Sequence, residues 1–147
     1  MAERDGKNDP YRSYRFRIEI DNIDRGGFRE CSGLDFTQDP VDYREGVDPL
    51  TTRKLPGLIK FSNISLKWGT SDDRELWEWR QEAMEGKIKR KNGSIILLDD
   101  TNTEKMRWNF REGWPTKWTG PSFNATSNEV AIETLEIVHE GLEIQKK

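Results

Sequence analysis

The 147-residue chain is long enough for one domain with a hydrophobic core, but only 33% of its residues are hydrophobic and 35% are charged. Its net charge of −3 excludes the global basic field of a nucleic-acid binder, and its single cysteine excludes an intramolecular disulfide. The N-terminus lacks the apolar run of a secretion signal, and no stretch is apolar enough to span a membrane, so we expect cytoplasmic synthesis and no membrane anchor.

Aromatic residues are numerous for so polar a chain: six tryptophans, six phenylalanines and three tyrosines. Each large aromatic side chain buries much surface, and aromatic residues are also enriched at protein interfaces. Composition alone leaves both roles open. The sequence therefore predicts either a core rich in aromatic residues or a subunit with aromatic contact surfaces.

The N-terminal part is predicted to form a flexible arm followed by two strands. Residues 1–10 are polar and include a glycine and a proline, which predicts a mobile arm. From Tyr14 to Asp21 apolar residues alternate with charged ones, which indicates a strand with one apolar and one charged face. Turn residues at 24–27 then precede a second predicted strand at Phe28–Cys31.

The segment 37–60 has the weakest pattern in the chain. Val41 and Tyr43 alternate with charged residues and predict a short strand, whereas residues 46–57 contain two prolines and show no period. A connection of this length in a small domain is usually functional or disordered, so we expect an extended loop or hairpin. Alternation returns over residues 58–68 and predicts another strand.

One helix is predicted at about residues 73–85, where apolar residues recur at helical spacing. Asp72 is a suitable N-cap, and Glu75 three residues later completes a capping-box pattern. Gly86 is a natural stop at the C-terminal end.

The second half of the chain is predicted to form strands again. Asn92-Gly93 is a tight-turn signal that would join a strand at 87–91 to the apolar run 95–98, whose continuity indicates burial on both faces. Apolar and polar residues alternate over Met106–Phe110 and predict a further strand, which Trp114-Pro115 should break.

The last strand is predicted from about Glu129 to His139. Its apolar phase slips between Ile132 and Leu135, which indicates either a bulge near Glu133 or a strand covered on both faces. These elements together predict a mainly β fold, a small barrel or sandwich of antiparallel strands with one flanking helix.

The sequence shows no pattern of catalytic or metal-binding residues. Neither His139, the sole histidine, nor Cys31 lies in a nucleophile motif, so we expect no enzyme activity and interpret His139 as a half-exposed strand residue. Clustered metal ligands and a phosphate-binding loop are also missing, so no metal or cofactor is expected. The basic run at 87–91 favours a solvated loop or an interface patch over nucleic-acid contact. A ligand-carrying barrel and a structural subunit both remain open on these grounds.

Short motifs occur in order along nearly the whole chain. They are Asp9–Arg12, Phe16–Asp21, Gly27–Leu34, Tyr43–Gly46, Arg53–Leu58, Trp108–Phe110, Trp114–Trp118, Gly120-Pro121 and Asn128–Leu142. Together they resemble the phage tail tube protein family, the inner tube proteins of contractile phage tails and of phage-tail-like contractile injection systems. No single motif decides the resemblance, which rests on their number and their order.

The resemblance implies a strand-rich barrel with a flanking helix, a fold shared with type VI secretion tube proteins. It implies six-membered rings that stack into a hollow tube inside a contractile sheath. The implied partners are further copies of the chain, the sheath protein, baseplate, spike and cap proteins at the tube ends, and a cargo of protein effectors or phage DNA. Assembly would take place in the bacterial or host cytoplasm, and the tube would then belong to a phage tail or an injection particle.

Two surfaces follow from this expectation. The segment 37–60 is expected to reach an adjacent ring, with contact residues Tyr43, Arg44, Glu45, Arg53, Lys54, Leu55 and Pro56. A tube that passes cargo needs a hydrophilic wall, and the wet faces of two predicted strands are candidates for it. The candidate lumen residues are Arg15, Arg17, Glu19, Asp21, Arg107, Asn109 and Arg111. A period of two shows that these faces are wet, but the outside of the tube is an alternative location for them.

Two alternatives accompany this interpretation. A tube-initiating protein at the baseplate would have the same fold. A small-ligand-binding β-barrel, from a different class of function, would be monomeric and would enclose an apolar cavity.

Overall fold

The structure is a computed structural model that describes residues 15–21, 23–25, 27–46, 50, 52–126 and 128–145. The predicted arm at 1–10, Tyr14 and part of the segment 46–52 lie outside these residues. The elements described are β1 (Phe16–Ile20), β2 (Ile23–Arg25), β3 (Phe28–Ser32), β4 (Phe36–Tyr43), β5 (Arg53–Phe61), β6 (Ile64–Gly69), α1 (Glu75–Met84), β7 (Lys91–Leu98), β8 (Glu104–Thr119), β9 (Ile132–Val138) and β10 (Gly141–Ile144).

The strands form one large sheet and one small one. The large sheet has the order β2-β1-β7-β8-β9-β6-β3, with β10 also paired to β8, and all of its pairs are antiparallel. In the described residues the ladder stays open between β2 and β3, so the fold is a sandwich-like sheet rather than a closed barrel. The predicted class, mainly antiparallel β with one helix, is confirmed.

The core lies between the two halves of the large sheet. Ile18 on β1 pairs with Ile95 on β7, and both side chains are buried with Leu66 and Leu135 from the opposite half. The helix α1 adds its buried Leu76 and packs against β8. Burial of this apolar surface is the main driving force for the fold.

Strand β8 is much longer than predicted, because Trp114-Pro115 does not end it. Its first half pairs with β7 and β10, and its second half pairs with β9. Glu112 has φ +54° where the strand changes partners, and the register shifts again beside Pro115. The missing N–H of proline is thus accommodated at an irregularity of the ladder and does not break the strand.

The predicted turn at Asn92-Gly93 is wrong, and so is the strand at 87–91, since only Lys91 belongs to β7. Gly93 lies inside β7, opposite Ile20 and Phe110. A Cβ at Gly93 would lie 2.4 Å from the Phe110 ring and 2.8 Å from the Glu19 carbonyl oxygen. The glycine therefore provides space for an aromatic ring and does not serve a turn.

Three further boundaries differ from the prediction. β2 already begins at Ile23, so part of the predicted turn at 24–27 is strand. The residue before α1 is Arg74, and the Glu75 N–H is accepted by Asp73 rather than Asp72. Strand β9 begins only at Ile132 and pairs with β6 without a register shift, so there is no bulge at 133.

Candidate assembly surfaces

The segment 37–60 forms most of a hairpin that stands apart from the large sheet. Strands β4 and β5 pair only with each other among the described residues. Every residue of β4 is exposed, and so are most residues of β5. All seven predicted contact residues are exposed on this hairpin or directly beyond its strand β4. Two strands with such exposure gain little from packing on the rest of the described subunit.

The register of the hairpin separates two faces near its tip. Val41 is paired with Leu55 and Tyr43 with Arg53, which places these four side chains on one side. Val41, Tyr43 and Leu55 are 50%, 42% and 44% exposed, and we call this side the apolar hairpin face. The Tyr43 hydroxyl donates to the Glu45 carboxylate at 2.6 Å, and this hydrogen bond raises the pKa of Tyr43.

The opposite side, the charged hairpin face, carries Asp42 paired with Lys54 and Pro40 paired with Pro56. Asp42 and Lys54 form an ion pair whose side chains are both 61% exposed. The predicted contact residues are therefore divided. Lys54 and Pro56 lie on the charged hairpin face and Tyr43, Arg53 and Leu55 on the apolar one, whereas Arg44 and Glu45 follow the end of β4.

Two prolines lie directly opposite each other in the middle of the hairpin. Neither Pro40 nor Pro56 has an N–H, so they can form only a non-hydrogen-bonded pair, in which the backbone nitrogens point to the outer edges. Both edges therefore lack a donor at this position. Proline on an edge opposes the addition of another strand, which leaves the side-chain faces as the surfaces for contact.

The hairpin contains a bulge at Gly57. The register shifts between Gln38 and Pro40, and a Cβ at Gly57 would lie 2.3 Å from the Asp39 carbonyl oxygen. The Gly57 carbonyl oxygen accepts a hydrogen bond from the Gln38 amide at 3.0 Å. Only glycine fits so close to the facing backbone, as is typical of a β-bulge.

The second predicted surface is the polar side of β1, β7 and β8. Registers place Arg17, Ile96 and Arg107 in one row across the sheet, and Glu19, Ser94 and Asn109 in the next. The intervening rows, such as Ile18–Ile95–Trp108, face the core. The structure thus brings the wet faces of both predicted strands onto one continuous surface, the polar sheet face.

Charges on the polar sheet face are paired within it. The Arg107 guanidinium lies 3.1 Å from Glu19 and 2.5 Å from Glu104, and Arg17 lies 3.9 Å from Glu19. Partial burial lowers the pKa of Arg107, but the hydrogen bonds to Glu104 and Glu19 outweigh this effect and leave the pKa raised. Ile96 is only 3% exposed within this face, as expected where arginine stems cover an apolar neighbour.

The remaining candidate lumen residues lie towards the ends of this surface. Arg15 donates to the Asn102 side chain at 3.0 Å and so contacts the turn before β8. Asp21 accepts the Asn92 N–H at 2.9 Å, which gives it a structural role at the other end. Arg111 packs over Gly141 of β10. Glu143 on β10 is paired with Asn109, so its side chain lies on the same face.

His139 is not the half-exposed residue that we expected. It is 7% exposed, and its ring lies 5.4 Å from the Phe61 ring and 6.0 Å from the Phe110 ring, measured between centroids. Its ring nitrogens lie 3.1 Å from the carbonyl oxygens of Gly141 and Ser62. The period of two along β9 continues to His139, since Leu135 and Ile137 are buried on the same side, and it was the signal for this burial.

Cys31 and the basic run at 87–91, the other residues considered from the sequence, contact neighbouring parts of the fold. Burial, with a smaller effect of Glu30, raises the pKa of the Cys31 thiol to about 12. In the basic run, Lys89 lies 3.5 Å from Glu82 and Arg90 lies 3.7 Å from Glu140.

Within the described part of the chain there is no cluster of three or more potential metal ligands. None of the helical residues in that part forms a segment long and apolar enough to cross a membrane.

Aromatic residues lie both in the core and on the surface of the subunit. Trp68 and Trp79 are buried, at 1% and 3% exposure. Phe36, Trp77 and Phe123 are 60%, 37% and 82% exposed. The core thus uses some of the aromatic residues, and others remain on the surface.

A sequence model of one family matches residues 12–143 of the chain, that of the T4-like virus tail tube protein gp19. The chain belongs to this tail tube family. The match includes every strand and the helix except the last residue of β10. A comparison with curated proteins gives no match.

Solved structures agree with the tail tube assignment. A chain from the PVC sheath–tube complex of an extracellular contractile injection system, in the extended state, is 31% identical with a TM-score of 0.85, over 95% of this chain and 93% of that one. A chain from the anti-feeding prophage cap is 28% identical with a TM-score of 0.86, over 99% and 97%. Hcp1 from Flavobacterium johnsoniae, 19% identical with a TM-score of 0.54 over 88% and 93%, shares the fold.

Proposed function

We propose that this tail tube protein is the main subunit of the inner tube of a contractile injection system or contractile phage tail. Six copies form a ring, rings stack into a hollow tube, a sheath surrounds it, and baseplate, spike and cap proteins close its ends. The role is structural, without catalysis or a cofactor. Family membership supports the tube, and the observation that carries the stacking is the projecting hairpin, whose apolar hairpin face is 42–50% exposed among the described residues.

The hairpin reaches the adjacent ring. Its charges are largely paired within it, as in Lys54 with Asp42 and Lys60 with Asp39 at 3.5 Å, so it offers no strong net charge to a partner. Its opposed prolines disfavour strand addition. What remains for contact is side-chain packing through Val41, Tyr43 and Leu55, with Arg44, Glu45 and Arg53 at the margin. Buried apolar cores with charged rims are the usual anatomy of stable interfaces.

The polar sheet face lines the lumen. Its arginines (15, 17, 107 and 111) are matched in number by its carboxylates (Glu19, Asp21, Glu104 and Glu143), so the local field is weak. A wall that is polar and nearly neutral neither grips apolar surfaces nor attracts polyanions strongly. Such a wall suits a conduit for cargo. Assembly would occur in the cytoplasm, before the tube becomes part of the particle.

The ring is tested by native mass spectrometry of the protein produced together with its baseplate. We expect a species of six copies, and microscopy of the same sample should show tubes. A sample that stays monomeric at every concentration and binds a small apolar ligand would instead support a ligand-carrying barrel.

The lumen assignment predicts a size-dependent reactivity at Arg17. In a Cys31→Ser background, Arg17→Cys in bare assembled tubes should react with a small maleimide but hardly with a protein-sized one. The matched control is Gln81→Cys on the exposed side of α1, which should react with both reagents. Equal reactivity of Arg17→Cys with both reagents in intact tubes would place the polar sheet face outside. In dissociated subunits both variants should react alike.

A further inference from the structure

The buried imidazole of His139 makes two contacts that a neutral ring cannot satisfy at the same time. Nδ1 lies 3.1 Å from the Gly141 carbonyl oxygen, and Nε2 lies 3.1 Å from the Ser62 carbonyl oxygen. A carbonyl oxygen only accepts hydrogen bonds, and a neutral imidazole carries a proton on one nitrogen only. Either neutral tautomer would therefore direct a lone pair at a carbonyl oxygen. Both contacts are hydrogen bonds only when both nitrogens carry protons.

The two carbonyls belong to different parts of the fold. Ser62 directly follows β5, and its N–H donates to the Asp35 carbonyl oxygen at 3.2 Å, which closes the root of the hairpin. Gly141 begins β10 of the large sheet. The Phe61 ring at the hairpin root packs on one side of the imidazole, and the Phe110 ring of β8 lies nearby. His139 therefore connects the hairpin root to the large sheet.

This connection matters because no ladder joins the hairpin to the large sheet in the described residues. A hairpin without a ladder to its body depends on contacts at its root for its direction. Besides backbone continuity and the Phe36–Phe61 ring pair within the root, the buried imidazole of His139 supplies a directional, partly buried polar contact to Ser62. Buried hydrogen bonds are costly to leave unmade, so such a contact can select one orientation.

We propose that His139 is the positioning residue of the hairpin and that it acts as a proton-dependent clamp. With a proton on each ring nitrogen it donates to Ser62 and Gly141 together and fixes the angle at which the hairpin leaves the large sheet. Loss of one proton releases one carbonyl and widens the range of angles. The proposal rests on the proposed inter-ring role of the hairpin, because that role makes the angle relevant to ring stacking.

The charged residues on the surrounding elements are few. Arg111 on β8 lies over Gly141, and Glu143 is on β10. Glu140 is engaged with Arg90 at 3.7 Å, and Lys60 at the hairpin root is engaged with Asp39. Asp35 contributes its backbone carbonyl to the root. The hydrogen-bond partners found for the imidazole are both backbone carbonyls, so the contacts themselves, rather than a neighbouring carboxylate, distinguish the protonated ring.

Two measurements on the full-length subunit test the clamp without any variant of His139. Because the chain has one histidine, nitrogen-15 NMR gives a single imidazole to assign. We expect the spectrum at about pH 5.5 to show both ring nitrogens bonded to hydrogen. Spin labels on the hairpin and on α1, at positions 37 and 81 in a Cys31→Ser background, should give a narrow distance distribution there and a broader one at about pH 8.5.

Variants then separate the clamp from simple packing. His139→Gln retains one amide donor and should give a broad distribution at both pH values, with a folded circular dichroism spectrum. His139→Phe keeps a ring but no donor and should behave in the same way. A distribution in the wild-type protein that stays equally narrow at both pH values, or a ring with one proton at about pH 5.5, overturns the proposal. If the clamp operates but no rings or tubes form, the proposed function fails and the clamp stands.

Discussion

Replacing Val41 and Leu55 together with serine is expected to leave six-membered rings intact and to abolish long tubes. These paired side chains form the apolar hairpin face with Tyr43, and they are 50% and 44% exposed in the free subunit. Burying a fully exposed aliphatic side chain contributes about 1.5–3 kcal/mol, and roughly half of that remains for each of these half-buried side chains. About 1.4 kcal/mol corresponds to a tenfold change in an equilibrium constant. The loss recurs at every copy of the inter-ring contact. Tube length in negative-stain images, at equal protein concentration, measures it.

The matched control uses the other side of the same hairpin. The double substitution Asp42→Ser and Lys54→Ser removes an ion pair whose two side chains are each 61% exposed. Exposed pairs of this kind contribute about 0–1 kcal/mol to stability. Tubes of normal length are expected. If this control shortens the tubes and the Val41/Leu55 variant does not, the contact is made through the charged hairpin face and the assignment of the apolar one is wrong.

Replacing Trp68 with alanine is expected to destabilise the isolated subunit by about 3–5 kcal/mol. Trp68 is 1% exposed, and its ring lies 5.8 Å from Phe28 and 5.3 Å from Trp118. Its indole N–H donates to the Glu133 carboxylate at 2.8 Å, so the truncation leaves a cavity and removes a donor from a partly buried acceptor. Urea denaturation of the subunit measures the free energy of unfolding.

Trp77 provides the comparison within the same group of aromatic rings. Its ring lies 5.1 Å from Trp118, but it is 37% exposed at the surface of α1. Trp77→Ala should therefore cost about 1 kcal/mol, close to the value of an aromatic pair. Equal losses for the two variants would contradict the view that aromatic residues are divided here between the core and the surface.

The elements predicted well are those whose two faces meet different surroundings. Alternation along β1 and in the first half of β8 reports burial directly, because side chains of a strand point to opposite sides. Registers then place Arg17 and Arg107 in one row, which the two patterns alone did not specify. The helix was found for the same reason, since Leu76 and Trp79 recur on its buried side.

The wrong predictions concern residues whose conformation depends on a contact with a residue distant in sequence. Asn92-Gly93 has turn chemistry, but Gly93 is a glycine because the Phe110 ring occupies the space of its Cβ. Pro115 ends many strands, yet here a register shift in the pairing with β9 accommodates it. The burial of His139 follows the alternation of Leu135 and Ile137, but its contact with Ser62 spans 77 positions of the chain and has no local signal. Such long-range pairings are not encoded in any short window of sequence.

The hairpin is difficult to predict from the sequence for a different reason. A strand acquires a period of two only when one of its faces is buried, and every residue of β4 is exposed in the single subunit. The weak pattern of the segment agrees with the exposure of β4 on both of its faces. The missing period, together with the family motifs at Tyr43–Gly46 and Arg53–Leu58, is what an assembly contact would leave in the sequence.

Cryo-electron microscopy of the native assembly, purified with its sheath and baseplate, tests the tube most directly. The expected map shows six copies of the chain in each ring, the apolar hairpin face buried against the next ring, and the polar sheet face around an open channel. An assembly in which no ring or tube contains the chain would contradict its role as the inner tube subunit.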